Sequence, residues 1–210
     1  MLAAFLTTLF FSLSSIAANR AIHMVGSTRA NLGRLLVATA FLAFWAHLVP
    51  LATGGIFGGN GLGGAGLTFF FVSGVLGMGF GDIAVFAALP LLGARLTVVM
   101  TQCLAAPIAA LAEWLWLGTT LRASQISCSV LILGGVAVAL APSRANPPRV
   151  PVKLAGVIFG ILSALGQGLG AVLSRKAYDL TKAAGQTIDG MTATYQRILG
   201  GLHVAARDNE

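Results

Sequence analysis

Charge is what this sequence mostly does without. Only 9% of its 210 residues are charged, and acids are the scarcer kind, 6 against 13 Lys and Arg. An average soluble domain carries about 25% charged residues. With 57% hydrophobic residues and a mean hydropathy of +0.88, what remains cannot cover a water-facing surface. Cysteine is nearly missing too. Cys103 and Cys128 stand apart with no C-x-x-C spacing and no clustered histidine, so they read as small packing residues and no metal or redox centre is expected. The net charge of +7 does not point to nucleic acid, because Lys and Arg fall mostly between apolar runs, where they meet lipid headgroups.

Apolar length is what the sequence does have. Six runs, about Leu2–Ala18, Leu32–Val49, Leu67–Leu92, Leu96–Leu117, Ile126–Ala141 and Leu154–Leu173, each come near the ~20 residues that a helix needs to cross ~30 Å of hydrocarbon. The first run reads as a membrane helix and not a removed leader, since no basic residue precedes it and Asn19-Arg20 follows directly. A seventh run, Gly190–Val204, carries Arg197 and His203 and is marginal as a span. The connectors are Asn19–Asn31, Gly93-Ala94-Arg95, Gly118–Arg122 and the proline-rich linker 142–153, which cannot continue a helix. The expected fold class is therefore all-α, a polytopic membrane helix bundle in a lipid bilayer.

One tract suggests a different chemistry. Gly59-Asn60-Gly61-Leu62-Gly63-Gly64 satisfies G-x-G-x-x-G, a dinucleotide fingerprint when it follows a strand in a soluble βαβ unit. Here it lies between two apolar runs, Pro50 ends the run before it, and no P-loop lysine follows. It reads as an uncharged connector, and no cofactor is implied.

The chain also repeats itself. Thr8, Ser12, Ser15 and Asn19 recur at i, i+4, i+7 and i+11, one polar stripe on an apolar helix. Ser163, Gln167, Gly170 and Ser174 repeat the stripe in the sixth run, at one constant offset. Arg20 and Arg175 follow the stripes at that same offset, and "GRLL" at 33–36 is echoed by "QRIL" at 196–199. An odd number of helices separates the copies, so the second would lie upside down relative to the first. Inverted repeats with a mid-membrane site are the mark of secondary transporters. The expected organisation is a five-helix repeat over 1–141, a linker over 142–153 and an incomplete second repeat over 154–210.

These residues bring the chain close to a known family. "FAALPLLGAR", then "TVVMTQCLAAPIAALAEWLWLG" with Pro107 at a mid-helix position, then "SCSVLILGGVAVAL", resemble EamA-type members of the drug/metabolite transporter superfamily. Arg34 matches the arginine opening that family's second helix, and Arg197 its counterpart in the second repeat. The resemblance implies two inverted five-helix repeats and transport of small metabolites. Thr119 follows Gly118 where the family often has an acid, and the last three helices have no counterpart here. The chain is therefore expected to be a fragment, or to complete itself as a homodimer or with a partner chain.

Ionisable groups within a span cost about +2.5 to +3.5 kcal/mol at mid-helix, so each needs a reason. Asp82 and Glu113 are the two carboxylates within apolar runs. Each is a candidate for proton or substrate binding, or else is paired with an arginine, a tryptophan N–H or water. Gln102, Ala106, Ala109 and Glu113 make a small-residue face beside Pro107, able to line a path or to pack closely. Ser12, Ser15 and Asn19, with Ser163 and Gln167, are the candidates for a central cavity that hydrogen-bonds a polar solute. The motifs Gly77-x-x-x-Gly81, Gly156-x-x-x-Gly160 and Gly166-x-x-x-Gly170 read as packing first. Asp82, Glu113 and His47 share no catalytic motif, so no enzyme is expected. Two readings stand: a secondary transporter of small metabolites in the cell (cytoplasmic) membrane, or a truncated, non-transporting or half-transporter membrane protein.

Overall fold

The computed structural model describes residues 2–49, 64–120, 122–140 and 153–209. All of the glycine tract except Gly64–Gly66, and the linker 142–152, lie outside the described residues. Within the described residues the elements are helical: α1 (Leu2–Val25), α2 (Ser27–Ala43) running on as a π-helix over Phe44–Leu48, α3 (Leu67–Gly74), a π-helical stretch Val75–Gly81, α4 (Asp82–Leu117), α5 (Ala123–Leu140), α6 (Leu154–Ala183) and α7 (Gly190–Arg207). Three stretches, Ser27–Leu48, Leu67–Leu117 and Leu154–Ala183, are long and apolar enough to cross a membrane. The chain is an all-α membrane helix bundle.

One expected connector is in fact largely helix. The backbone stays helical through Asn19–His23, and Gly26 alone, at φ 86°, parts α1 from α2. Arg20 and His23 end the apolar run, but they do not end the ladder of backbone hydrogen bonds. The connector Gly93-Ala94-Arg95 does break the helix, through one residue, Gly93, at φ 76° and ψ 158°. No L side chain holds that conformation without strain, so glycine is required there.

Gly93 is where the chain reverses. A straight helix over the 51 residues of Leu67–Leu117 would be about 77 Å long, over twice the hydrocarbon thickness. The neighbours of α6 show the turn. Gly166 abuts Gly81, Gly170 abuts Gly77, and Ser174 bonds Ser73, so α6 is antiparallel to the segment before Gly93. Gly160 abuts Met100, Gly168 abuts Ile108, and Arg175 pairs with Glu113, so α6 is parallel to the segment after it. The two arms are called the third and fourth segments below.

Small residues make this wedge possible. A methyl on Gly166 would meet the Leu76 carbonyl oxygen at 2.7 Å and Gly81 Cα at 2.8 Å; one on Gly170 would meet the Ser73 carbonyl oxygen at 3.0 Å. Lipid offers no hydrophobic drive between helices, so close backbone contact supplies the attraction instead. Gly77-x-x-x-Gly81 and Gly166-x-x-x-Gly170 are thus two faces of one interface, while Gly156 and Gly160 seat Leu92 and Met100.

The α7 helix lies parallel to the third segment, with Gly200 against Phe71, Gly201 against Met78 and Val204 against Gly79. Its other side meets α2 through buried Leu35, Leu42, Ile198 and Ala205. Asp189 caps α7, its Oδ1 accepting from the N–H groups of Met191 (2.8 Å) and Thr192 (3.1 Å). Ile22, Ala30, Phe86 and Leu89 form a second cluster joining α1 and α2 to the third segment.

A candidate solute site at Asp82

Asp82 is the residue on which these elements converge. It follows directly on the π-helical stretch Val75–Gly81, where Gly77, Gly79 and Gly81 are buried. A widened turn disturbs the usual i→i−4 bonding, and such turns recur at functional sites. Here the Gln167 amide of α6 makes good the disturbance. Its Nε2 donates to the Gly77 carbonyl at 3.2 Å and to Asp82 Oδ1 at 2.9 Å. The other carboxylate oxygen, Oδ2, accepts from Arg34 Nη2 in a direct ion pair. One buried side chain therefore ties α2, the third segment and α6 together.

Arg34 is held from three sides. Its Nη2 also donates to Asn31 Oδ1, one turn earlier on α2, at 3.3 Å, and its guanidinium lies 5.6 Å from the centre of the Phe86 ring. The Asp82 side chain is 13% exposed and that of Arg34 is 39% exposed. The free side of Arg34 opens onto a cavity of about 140 Å³ bounded by α1, α2, both arms of α4, and α6. Its polar lining is Ser14, Arg34, Asp82, Thr97, Thr101, Gln102 and Gln167, and its apolar wall includes Val85, Phe86, Leu89 and Val98. A cation, an anion and neutral donors at one apolar-walled hole can orient a small polar solute.

The other expected site residues are scattered. Ser163 is fully buried at the helix interface, bonded to Thr101 at 3.0 Å, and does not line the cavity. Ser12 and Ser15 have side chains outside the described ones; Asn19 is half-buried and not in the cavity lining. Gln102 does line it, while Ala106 and Pro107 face a separate hole of about 570 Å³ towards α5. The helix runs on through Pro107, and Gly93 supplies the break. Glu113 stands well apart from Asp82 and pairs with Arg175 at 2.7 Å. His47 Nε2 meets the Tyr195 hydroxyl at 3.3 Å. Cys103 is half-buried and Cys128 is exposed, so only the first packs within the bundle.

Ser14, Thr97 and Thr101 were not legible as lining residues. A stripe shows which face of a helix is polar, but not which neighbour stands opposite. Arg34 could have been found as the partner of Asp82, because a lone acid within a span calls for a cation at its own depth.

No match is found among curated proteins. Residues 1–141 match the model of the EamA-like transporter family, and the chain belongs to that family.

Proposed function

We propose that the chain is a secondary transporter that moves small metabolites across the cytoplasmic membrane by alternating access. The observation that carries this reading is the bonding of Asp82, whose two oxygens join α2 of the family-matched part to α6 beyond the linker, at the wall of a cavity. A junction of that kind makes solute binding and helix rearrangement compete for the same bonds. The inverted-repeat organisation, with 1–141 as one repeat and 154–210 as part of another, is supported by two features. The α6 helix, echo of α1, wedges between the third and fourth segments, and Leu35 of α2 packs with Ile198 of α7 at the echoed "GRLL" and "QRIL".

The rival reading is a membrane protein whose transport unit needs a second copy or a partner chain.

The test is flux. The purified chain is reconstituted into vesicles loaded with a mixed extract of small metabolites, and efflux is followed by mass spectrometry. Protein-dependent loss of particular solutes, abolished by Asp82→Asn, is the expected outcome. No flux at any protein-to-lipid ratio would sink the transporter reading. Flux that rises with the square of protein density, with a specific cross-linked dimer in the membrane, would favour the rival.

A further inference from the structure

Among the described residues, the interior around Asp82 is one negative charge short. Arg34 enters it from α2, and Arg197 enters from α7 at the echoed position. Arg197 Nη2 points at Gly77, where an added methyl would lie 3.5 Å away, and Gly77 is the residue whose carbonyl Gln167 holds. The buried Nε of Arg197 has no hydrogen-bond partner among the described residues. Its electrostatic neighbours are Asp82 and the neutral phenol of Tyr178. Both oxygens of Asp82 are already taken, by Arg34 and Gln167. Glu113, the other carboxylate of the segments, is occupied with Arg175. Two guanidinium groups therefore share one carboxylate, and burying an uncompensated charge is expensive unless something pairs with it.

The cavity says where the missing charge enters. Arg34 lines it and Arg197 does not. Arginine presents a planar fork that matches a carboxylate. The hole of about 140 Å³ is close to the benzene-binding size of roughly 150 Å³, so it suits a body of a few carbons against Val85, Phe86 and Leu89.

We propose that the cavity takes a small solute bearing a single carboxylate, which replaces Asp82 on Arg34 while Asp82 turns to Arg197. The two arginines, Asp82 and the solute then sum to zero charge. Asp82 passes from a partner on α2 to a partner on α7, so binding loosens one contact between the helices and makes another. A doubly charged phosphate ester would leave the site negative, which is why a monocarboxylate is the class assigned. This rests on the transporter reading for its purpose, but binding can be measured without transport.

The experiment uses the purified full chain in detergent, in chloride-free buffer, with isobutyrate and its neutral isostere isobutyramide as probes. Thermal unfolding is followed at rising millimolar probe concentration. Isobutyrate is expected to raise the unfolding temperature, with isobutyramide at least tenfold weaker. Arg197→Gln should abolish the preference, Arg197→Lys should keep part of it, and Glu113→Gln should leave it unchanged. If Arg197→Gln does not fold, a lower isobutyrate affinity in Arg197→Lys with an unchanged response to isobutyramide serves in its place. Equal binding of the two probes, binding of neither, full preference in Arg197→Gln, or chloride alone giving the whole shift would each overturn the proposal. Carboxylate-selective binding without flux in vesicles would instead overturn the transporter reading and leave this one standing.

Discussion

Among the described residues two arginine–carboxylate pairs, Arg34–Asp82 and Arg175–Glu113, stand out, and they have little in common beyond their chemistry. Arg34–Asp82 has side chains 39% and 13% exposed, and Gln167, Asn31 and Phe86 surround it. Arg175–Glu113 has side chains 52% and 20% exposed and lies beside the exposed Trp114 and Trp116, residues typical of a membrane interface. An exposed pair gains little, because water and salt screen it and two long side chains must be ordered to make it. A buried pair is different: removing one member strands the other's charge. The same guanidinium–carboxylate chemistry thus forms a clasp at the rim and a committed junction in the interior.

The hardest way to break the comparison is to delete each acid. Asp82→Ala should lower stability by about 2 kcal/mol, below the 3–5 of a fully buried pair because Arg34 is part-exposed. It should also remove vesicle flux altogether. The measurement is thermal unfolding in detergent together with efflux. If Glu113→Ala proves as damaging as Asp82→Ala in both, the two pairs are not different in kind.

Next comes the surface that positions only one of them. Gly166→Ala forces a methyl into the third segment beside Gly81, one residue from Asp82. Overpacking of this sort costs about 1–3 kcal/mol. A disulfide or cross-link placed across Glu113 and Arg175 should still form in this variant, because the clash is local to the Asp82 end.

Gln167→Leu isolates the neutral part of the junction. It leaves the Gly77 carbonyl and Asp82 Oδ1 without their donor, which should cost about 1–3 kcal/mol at a buried site. The loss should shrink in an Asp82→Asn background, since the two share a bond. Independent, additive losses would contradict the geometry.

A third acid outside the spans serves as a control. Asp189→Ala removes the cap of α7 and should cost about 1 kcal/mol, with little effect on flux. Burial alone would raise the Asp189 carboxyl, but the hydroxyl and N–H of Thr192 and the N–H of Met191 outweigh it and hold it below the ordinary 3.8. A depressed carboxyl stabilises fully above its unfolded value and loses that contribution as pH falls through the lower folded one. Unfolding followed from pH 7 down to pH 3 should therefore show a small loss at the acid end, reduced in Asp189→Asn.

The smallest effect belongs to the rim. Arg175→Ala and Glu113→Ala should each change stability by less than about 1 kcal/mol. A double-mutant cycle measures the coupling, and a value as large as that for Arg34 and Asp82 would erase the contrast.

How much of this was legible beforehand follows from what each residue's surroundings depend on. Asp82, Gln102 and Gln167 stood out because a polar group in an apolar run is conspicuous without any structure. Ser163 stood out for the same reason, yet its hydroxyl is spent on Thr101 at a helix contact. Glu113, beside Trp114 and Trp116, was open to an arginine partner and meets Arg175. The π-helical stretch was not legible, because Gly77, Gly79 and Gly81 fit a close-packed α-helix equally well. Charge marks a connector over Asn19–Asn31, but charge limits apolar length and leaves backbone hydrogen bonding free to continue to Val25, whereas Gly93-Ala94-Arg95 does hold a break.

The sequence by itself determined the solvent and the class of fold. So few charges, in apolar runs of membrane length, leave the backbone nothing but its own helical bonds in lipid, and the family followed from residues 1–141. Only the tertiary structure decided which arginine meets which acid and that a cavity opens at Asp82. Those are properties of surfaces that come together. Hydropathy and backbone bonding are satisfied within each helix, whereas a single buried charge is satisfied only by whatever another helix brings to it.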